Sequence, residues 1–200
     1  MIYHYKIIFL LIITLFIPGK PVQSEGLSLK DNIYNPGILK PVDSQPTLKT
    51  GDLAPLFSLP AISGKTISLD QYRGIKNVLL TFVPAAWTPV CSDQWPGYNI
   101  AKSLFDKHDT TLIGISTDNI PTLFAWTKQM GVLWFDVVSD FWPHGAVSDS
   151  YGILRSDGTA ERALVLINKQ GRIAFFHVSD INVRPDLKLI IDQLKAFPDN

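Results

Sequence analysis

Cysteine is almost missing from this sequence: 200 residues hold one, Cys91. That excludes a disulfide within the chain, and with it any redox cycle in which two thiols of one chain close and reopen. An excess of either charge is missing too, since Lys plus Arg and Asp plus Glu number 18 each. No field is left to gather nucleic acid or an anionic membrane surface. There is no phosphate loop, hydrolase triad or dinucleotide fingerprint, and Asp140 and Asp149 lack the grouping of a metal site. No cofactor or metal is expected. No repeat or low-complexity tract divides the chain.

Long hydrophobic runs are scarce as well. Ile7 to Ile17 is apolar apart from Thr14, and its 11 residues make a helix of about 16 Å against about 30 Å of bilayer hydrocarbon. A short positive segment, Met1 to Lys6, precedes the run; Pro18 and Gly19 end it, and Val22-Gln23-Ser24 offers a small-residue cleavage site before Glu25. Residues 1–24 therefore read as a secretory signal peptide, and the mature protein as exported, periplasmic or secreted; uncleaved, the same segment would be a membrane anchor. Residues 25–50 carry Pro36, Pro41 and Pro46 among polar residues without a sustained period. They read as an extended leader that lies on the domain surface or acts as a tether. Residues 51–198 are enough for one domain with an ordinary core.

Within that domain, strand and helix patterns alternate. Leu56 to Leu59 and Thr66 to Leu69 flank the turn signal Ser63-Gly64, an N-terminal β-hairpin. Val78 to Val83 is a continuous apolar run, as in a central strand covered on both faces. Helical character follows from Pro89 to Phe105, with a kink expected at Pro96-Gly97. Thr111 to Ser116 reads as a strand, Pro121 to Met130 as a helix, and Trp134 to Val138 as a short strand. Ala163 to Ile167 and Ile173 to His177 flank Asn168-Lys169-Gln170-Gly171, a second hairpin, and a helix opening at Pro185-Asp186 closes the chain. This is the order of an α/β, thioredoxin-like fold: a central mixed β-sheet flanked by helices.

Export and the cysteine count together frame Cys91. A single thiol in an exported protein is buried and inert, paired with another molecule, or reactive. Its place after Thr88-Pro89-Val90, in the first turn of a helix, gives a physical reason to ionise, because unsatisfied backbone N–H groups and the helix dipole favour an anion there. The dipole supplies about 0.3–1 and at most about 2 kcal/mol, so a reactive thiolate needs a nearby cation as well.

Pro84, Thr88 and Cys91 stand in a Pro-x-x-x-Thr-x-x-Cys pattern that resembles the motif of the peroxiredoxins, the alkyl hydroperoxide reductase and thiol-specific antioxidant family. Gly51-Asp52-Leu53-Ala54-Pro55 is similar to that family's opening of the domain, and Ser139 to Gly145 with Tyr151-Gly152 to its later loop and helix. The resemblance implies a thiol-dependent peroxidase acting on hydrogen peroxide or organic hydroperoxides, with Cys91 the attacking thiol, Thr88 and an arginine binding the peroxide oxygens, and Pro84 roofing the pocket. Arg162, one residue before Ala163 to Ile167, fits the family's arginine position; Arg155 and Arg172 are the alternatives. By its neighbours alone, Arg162 would read as a surface residue pairing with Asp157 or Glu161.

Two departures from the family's pattern matter. Gln94 stands where many members carry Glu, which puts the hydrogen bonding around the arginine in question, and Pro96 stands where some carry a resolving cysteine. The resemblance then implies a one-Cys enzyme whose sulfenic acid is reduced by an external thiol, a thioredoxin-like protein or a small thiol. Thr88 also occupies the first-cysteine place of a Trp-Cys-x-x-Cys pattern, which argues against a dithiol oxidoreductase. Bland roles remain for each residue: Thr88 as a helix cap, Pro84 as a strand end, His144 as a local hydrogen-bonding group. Trp87, Trp95 and Trp142 read as core or dimer surface, which leaves a homodimer open. The rival functions are an exported thiol relay without peroxidase activity and a thioredoxin-fold binding or assembly protein.

Overall fold

The largely apolar stretch Asn77–Phe82 (β3) forms the middle of a five-stranded sheet. In the computed structural model, which describes residues 29–196, β3 pairs in parallel with β4 (Thr110–Ser116), and β4 with β5 (Asp136–Ser139). On the other side β6 (Ala163–Ile167) runs antiparallel to β3, and β7 (Ile173–Val178) antiparallel to β6. The expected signal segment, 1–24, lies outside the described residues. No helix among the described residues is long and apolar enough to cross a membrane.

Strand periodicity divides the core in two. Val78, Leu80 and Phe82 of β3, with Ala163, Val165 and Ile167 of β6, face one side of the sheet. There they meet the N-terminal hairpin, β1 (Ser58–Pro60) and β2 (Thr66–Ser68), and the short helix α4 (Ala146–Ser150). Leu79, Leu164 and Leu166 face the opposite side, against α1 (Pro89–Ile100), α2 (Lys102–Lys107), α3 (Ile120–Lys128) and α5 (Leu187–Lys195). A strand covered on both faces has few polar positions to spare, which is why β3 reads as a nearly continuous apolar run, broken inside only by the buried Thr81.

The helix that carries Cys91 is set by one close approach. A Cβ at Gly114, in β4, would lie 2.7 Å from Cζ2 of Trp95, so only glycine lets the indole of α1 lie this flat on the sheet. Trp95 is fully buried and stacks at a tilt on Trp126 of α3, with ring centroids 4.9 Å apart. The kink expected at Pro96-Gly97 does not interrupt the helix: α1 runs to Ile100 and gives way at Ala101. Trp95 and Tyr98 flank the proline region and are both buried, and their packing holds the helix across it. The strand expected from Trp134 begins at Asp136, because Trp134 leaves the sheet line to pack beside Phe105, 5.2 Å away.

The described part of the leader is bound to the rest of the chain at Pro41 to Ser44. Asp43 and Ser44 donate their backbone N–H groups to Oε1 of Glu161 at 2.6 and 2.7 Å, and Ile181 N–H donates to the carbonyl of Pro41 at 3.0 Å. Lys40, hydrogen-bonded to Asp43, holds that carboxyl well below the usual carboxylate range, so the anchor stays charged into acid.

Candidate active site

The path from β3 to α1 places the thiol. After Phe82 the chain passes Pro84, which is buried, and turns at Trp87, whose φ of 61° is left-handed, an uncommon and strained conformation for an aromatic residue. Hydrogen bonds hold the turn on both sides: Ala86 N–H donates to Oδ2 of Asp118 at 2.7 Å, and Tyr34 N–H donates to the Trp87 carbonyl at 2.8 Å. Thr88 then takes the N-cap position in extended conformation, and Pro89 opens α1 where a missing N–H costs nothing.

Thr88 is a cap by backbone only. Its side chain makes no capping bond and instead donates to the Ala85 carbonyl at 3.0 Å. With that proton committed, Oγ1 is left as an acceptor. The main-chain ladder of α1 starts with Ser92 N–H to Thr88 O at 3.0 Å, so the N–H groups of Val90 and Cys91 precede it and point out of the helix start. Cys91 lies there fully buried.

Arg162, the residue just before β6, meets it. The guanidinium is 2% exposed and spends its donors on three acceptors. Nη2 donates to Cys91 Sγ at 3.4 Å and to the Ile181 carbonyl at 2.9 Å, Nε donates to the same carbonyl at 3.1 Å, and Nη1 donates to Oε1 of Gln94 at 2.5 Å. Gln94 in turn donates to Thr81 Oγ1 at 3.0 Å. A neutral amide therefore keeps the hydrogen bonding that the missing glutamate had put in question, and among the described residues no carboxylate pairs with the arginine. The carboxylates beside Arg162 in sequence pair elsewhere: Glu161 and Asp157 face Arg155 at 2.7 and 3.7 Å. Arg155 is thus committed, and Arg172 is exposed and donates to the Gly51 carbonyl.

Pro84, Thr88 and Arg162 line one cavity of about 570 Å³, and Cys91 stands just behind that wall. A thiol, a guanidinium and an acceptor hydroxyl at a helix start make an arrangement suited to binding a small O–O group and stabilising charge that develops on it.

The sequence matches the AhpC/TSA family model over residues 50–176. This chain belongs to the AhpC/TSA family. Alkyl hydroperoxide reductase E of Mycobacterium tuberculosis is 35% identical over 151 residues, 75% of this chain and 98% of that protein. The reduced 2-Cys peroxiredoxin of Plasmodium vivax superposes with a TM-score of 0.70 at 27% identity, over 74% of this chain and 81% of that one. Mycobacterium tuberculosis AhpC gives 0.69 at 25%, over 76% and 93%. The protein is accordingly a peroxiredoxin, a thiol-dependent peroxidase of thioredoxin-like fold, in a family that uses peroxides and thiol reductants and often forms oligomers.

Several residues of this peroxiredoxin's site give no signal in sequence. Asp118, which accepts from Ala86 N–H and from Ser116 Oγ, is one acidic residue among many. Ile181 contributes only a carbonyl. Trp126 donates to Ser92 Oγ at 3.0 Å, tying α3 to the residue next to the thiol. His144 and Asp140 act locally, His144 at the Gly158 carbonyl and Asp140 accepting from Val147 and Ser148 at the start of α4. Trp95 is core, whereas Trp142 is 80% exposed.

Proposed function

We propose that this peroxiredoxin is an exported, one-Cys peroxidase. Cys91 Sγ, as thiolate, attacks the terminal oxygen of a hydroperoxide ROOH. The S–O bond forms as the O–O bond breaks, the RO⁻ leaving group takes up a proton, and the products are ROH and the sulfenic acid of Cys91. Sulfur is oxidised by two electrons and the peroxide reduced by two. Two external thiols then return Cys91 to the thiol, releasing water and becoming a disulfide.

The observation that carries this reading is the contact of Arg162 with Cys91, made by a guanidinium that pairs with no carboxylate among the described residues. In that reading Arg162 stabilises the thiolate and then the charge on the lengthening O–O bond, Thr88 Oγ1 accepts from the peroxide O–H, the Cys91 N–H adds a third contact, and Pro84 excludes water. Residues 1–24 act as the export signal and residues 25–50 as the leader of a domain spanning 51–198. The reductant is a thioredoxin-like protein or a small thiol of the exported compartment, and the enzyme works as a monomer or homodimer.

Stopped-flow fluorescence of the purified protein mixed with peroxide tests the reading, because Trp87 and Trp95 lie near Cys91 in sequence and Trp126 is bonded to its neighbour. A fast change, lost in Cys91→Ser, is expected. A protein that does not react with peroxide but forms mixed disulfides would be a relay instead, and one that does neither a binding protein.

A further inference from the structure

The cavity in front of Arg162 has walls of different origin. The first is the peroxidatic loop and the start of α1; the second is the leader, from Tyr34 to Leu39; Asp157, Thr159, Ile181 and Asn182 close the rest. This second wall is held at both ends. Tyr34 N–H donates to the carbonyl of Trp87, the strained residue of the loop. At the other end Leu39 N–H donates to Oδ1 of Asn182 at 2.8 Å, and Asn182 Nδ2 returns a bond to the Leu39 carbonyl at 2.8 Å. One residue further, the Lys40 carbonyl accepts from Arg155 Nη2 at 3.0 Å.

Between those anchors the strap presents apolar groups to the mouth. Ile38 is 94% exposed and Tyr34 71%, an unfavourable placement for large side chains that no other described residue covers. The space they border, about 570 Å³, is far beyond what hydrogen peroxide fills, a water's share of liquid volume being about 30 Å³. It falls in the range of pockets that hold an organic ligand. A hydroperoxide whose O–O end reaches Arg162 and Thr88 would have its remaining groups directed outward, across Val90 and onto the strap.

We propose that the leader strap is the specificity-determining wall of the active site, and that Tyr34 and Ile38 select hydroperoxides bearing a bulky apolar group over hydrogen peroxide. The inference rests on the peroxidase reading above. Both contacts are made by side chains, while the strap is anchored through main chain at Tyr34 and Leu39, so the wall can be changed without releasing it.

The test compares kcat/KM for cumene hydroperoxide with that for hydrogen peroxide, with dithiothreitol as reductant, in the full chain and in its Ile38→Ser and Tyr34→Ser/Ile38→Ser variants. Loss of apolar contact to one substrate alone should lower the cumene-to-hydrogen-peroxide ratio at least about fivefold, and further in the double variant. A smaller change in the ratio, or a parallel loss of both rate constants, would overturn the assignment and leave the peroxidase intact. A parent chain that reduces neither peroxide would overturn the peroxidase reading, and this inference with it.

Discussion

Replacing Arg162 by lysine keeps a positive charge beside Cys91 and removes the fork, so it separates charge from geometry. The guanidinium reaches Cys91 Sγ, Gln94 Oε1 and the Ile181 carbonyl from three different nitrogens, at 3.4, 2.5 and 2.9–3.1 Å. One ammonium nitrogen cannot stand at all of those points, and a buried ammonium gives up its proton more readily than a guanidinium. Hydrogen bonds to a charged group contribute about 1.5–3 kcal/mol each. Losing the one made to the reacting sulfur removes about 1.5–3 kcal/mol, which at about 1.36 kcal/mol per factor of ten slows the reaction about 10- to 160-fold. The assay is the second-order rate constant of peroxide oxidation, from the fluorescence transient at several peroxide concentrations. Arg162→Ala should be slower still. An Arg162→Lys protein that is folded by near-ultraviolet circular dichroism and reacts within threefold of the parent would mean that the fork has no part in the reaction. Arg155 and Arg172 would then need the same test.

Thr88→Val, which removes the hydroxyl and keeps the shape, should slow peroxide reduction about ten- to a hundredfold, the worth of one hydrogen bond in the transition state; unchanged kinetics would return Thr88 to a purely structural role. Intact-mass spectrometry after one equivalent of peroxide should show one added oxygen on Cys91, and after a large excess two, since the chain has no second cysteine to trap the sulfenic acid. A quantitative covalent dimer at one equivalent would instead show that Cys91 resolves itself between two chains. Gly114→Ala should lower the melting temperature by roughly 2–12 °C, from about 1–3 kcal/mol of overpacking against Trp95 at about 2–4 °C per kcal/mol, and a melting temperature equal to the parent's would refute the close approach.

Legibility in the sequence followed the range of the forces involved. β3 and β6 could be read because burial on both faces leaves a nearly continuous apolar signature, and both helix starts at Pro89 and Asp186 because their chemistry is local. The course of α1 across Pro96 could not, since the packing of Trp95 and Tyr98 on strands far away in sequence overrides a local breaker. In the site, the motif spacing pointed to Pro84, Thr88 and Cys91, and the step to Arg162 needed the resemblance, because 71 residues separate it from the thiol. Acceptors that act through main chain, such as Ile181 and Ala85, leave no mark on residue identity. The burial of Cys91 was hidden for a similar reason: the core cluster it joins also draws on Leu123, Leu164 and Ile190, far away in sequence.

The hydrogen bonds of Glu161 bear on where this protein can be cut. Its carboxylate is wholly buried, accepting from Arg155 on one oxygen and from the main chain of Asp43 and Ser44 on the other. The AhpC/TSA match begins at residue 50, so a polypeptide begun there would lack both main-chain donors and the Lys40 carbonyl that receives Arg155. A buried carboxylate stripped of two donors costs several kcal/mol, and it sits in the peptide next to Arg162. The border suggested by similarity and the border of cooperative unfolding are therefore different lines. Trimming to the first would injure the enzyme at Glu161, apart from any loss of the strap at the cavity mouth.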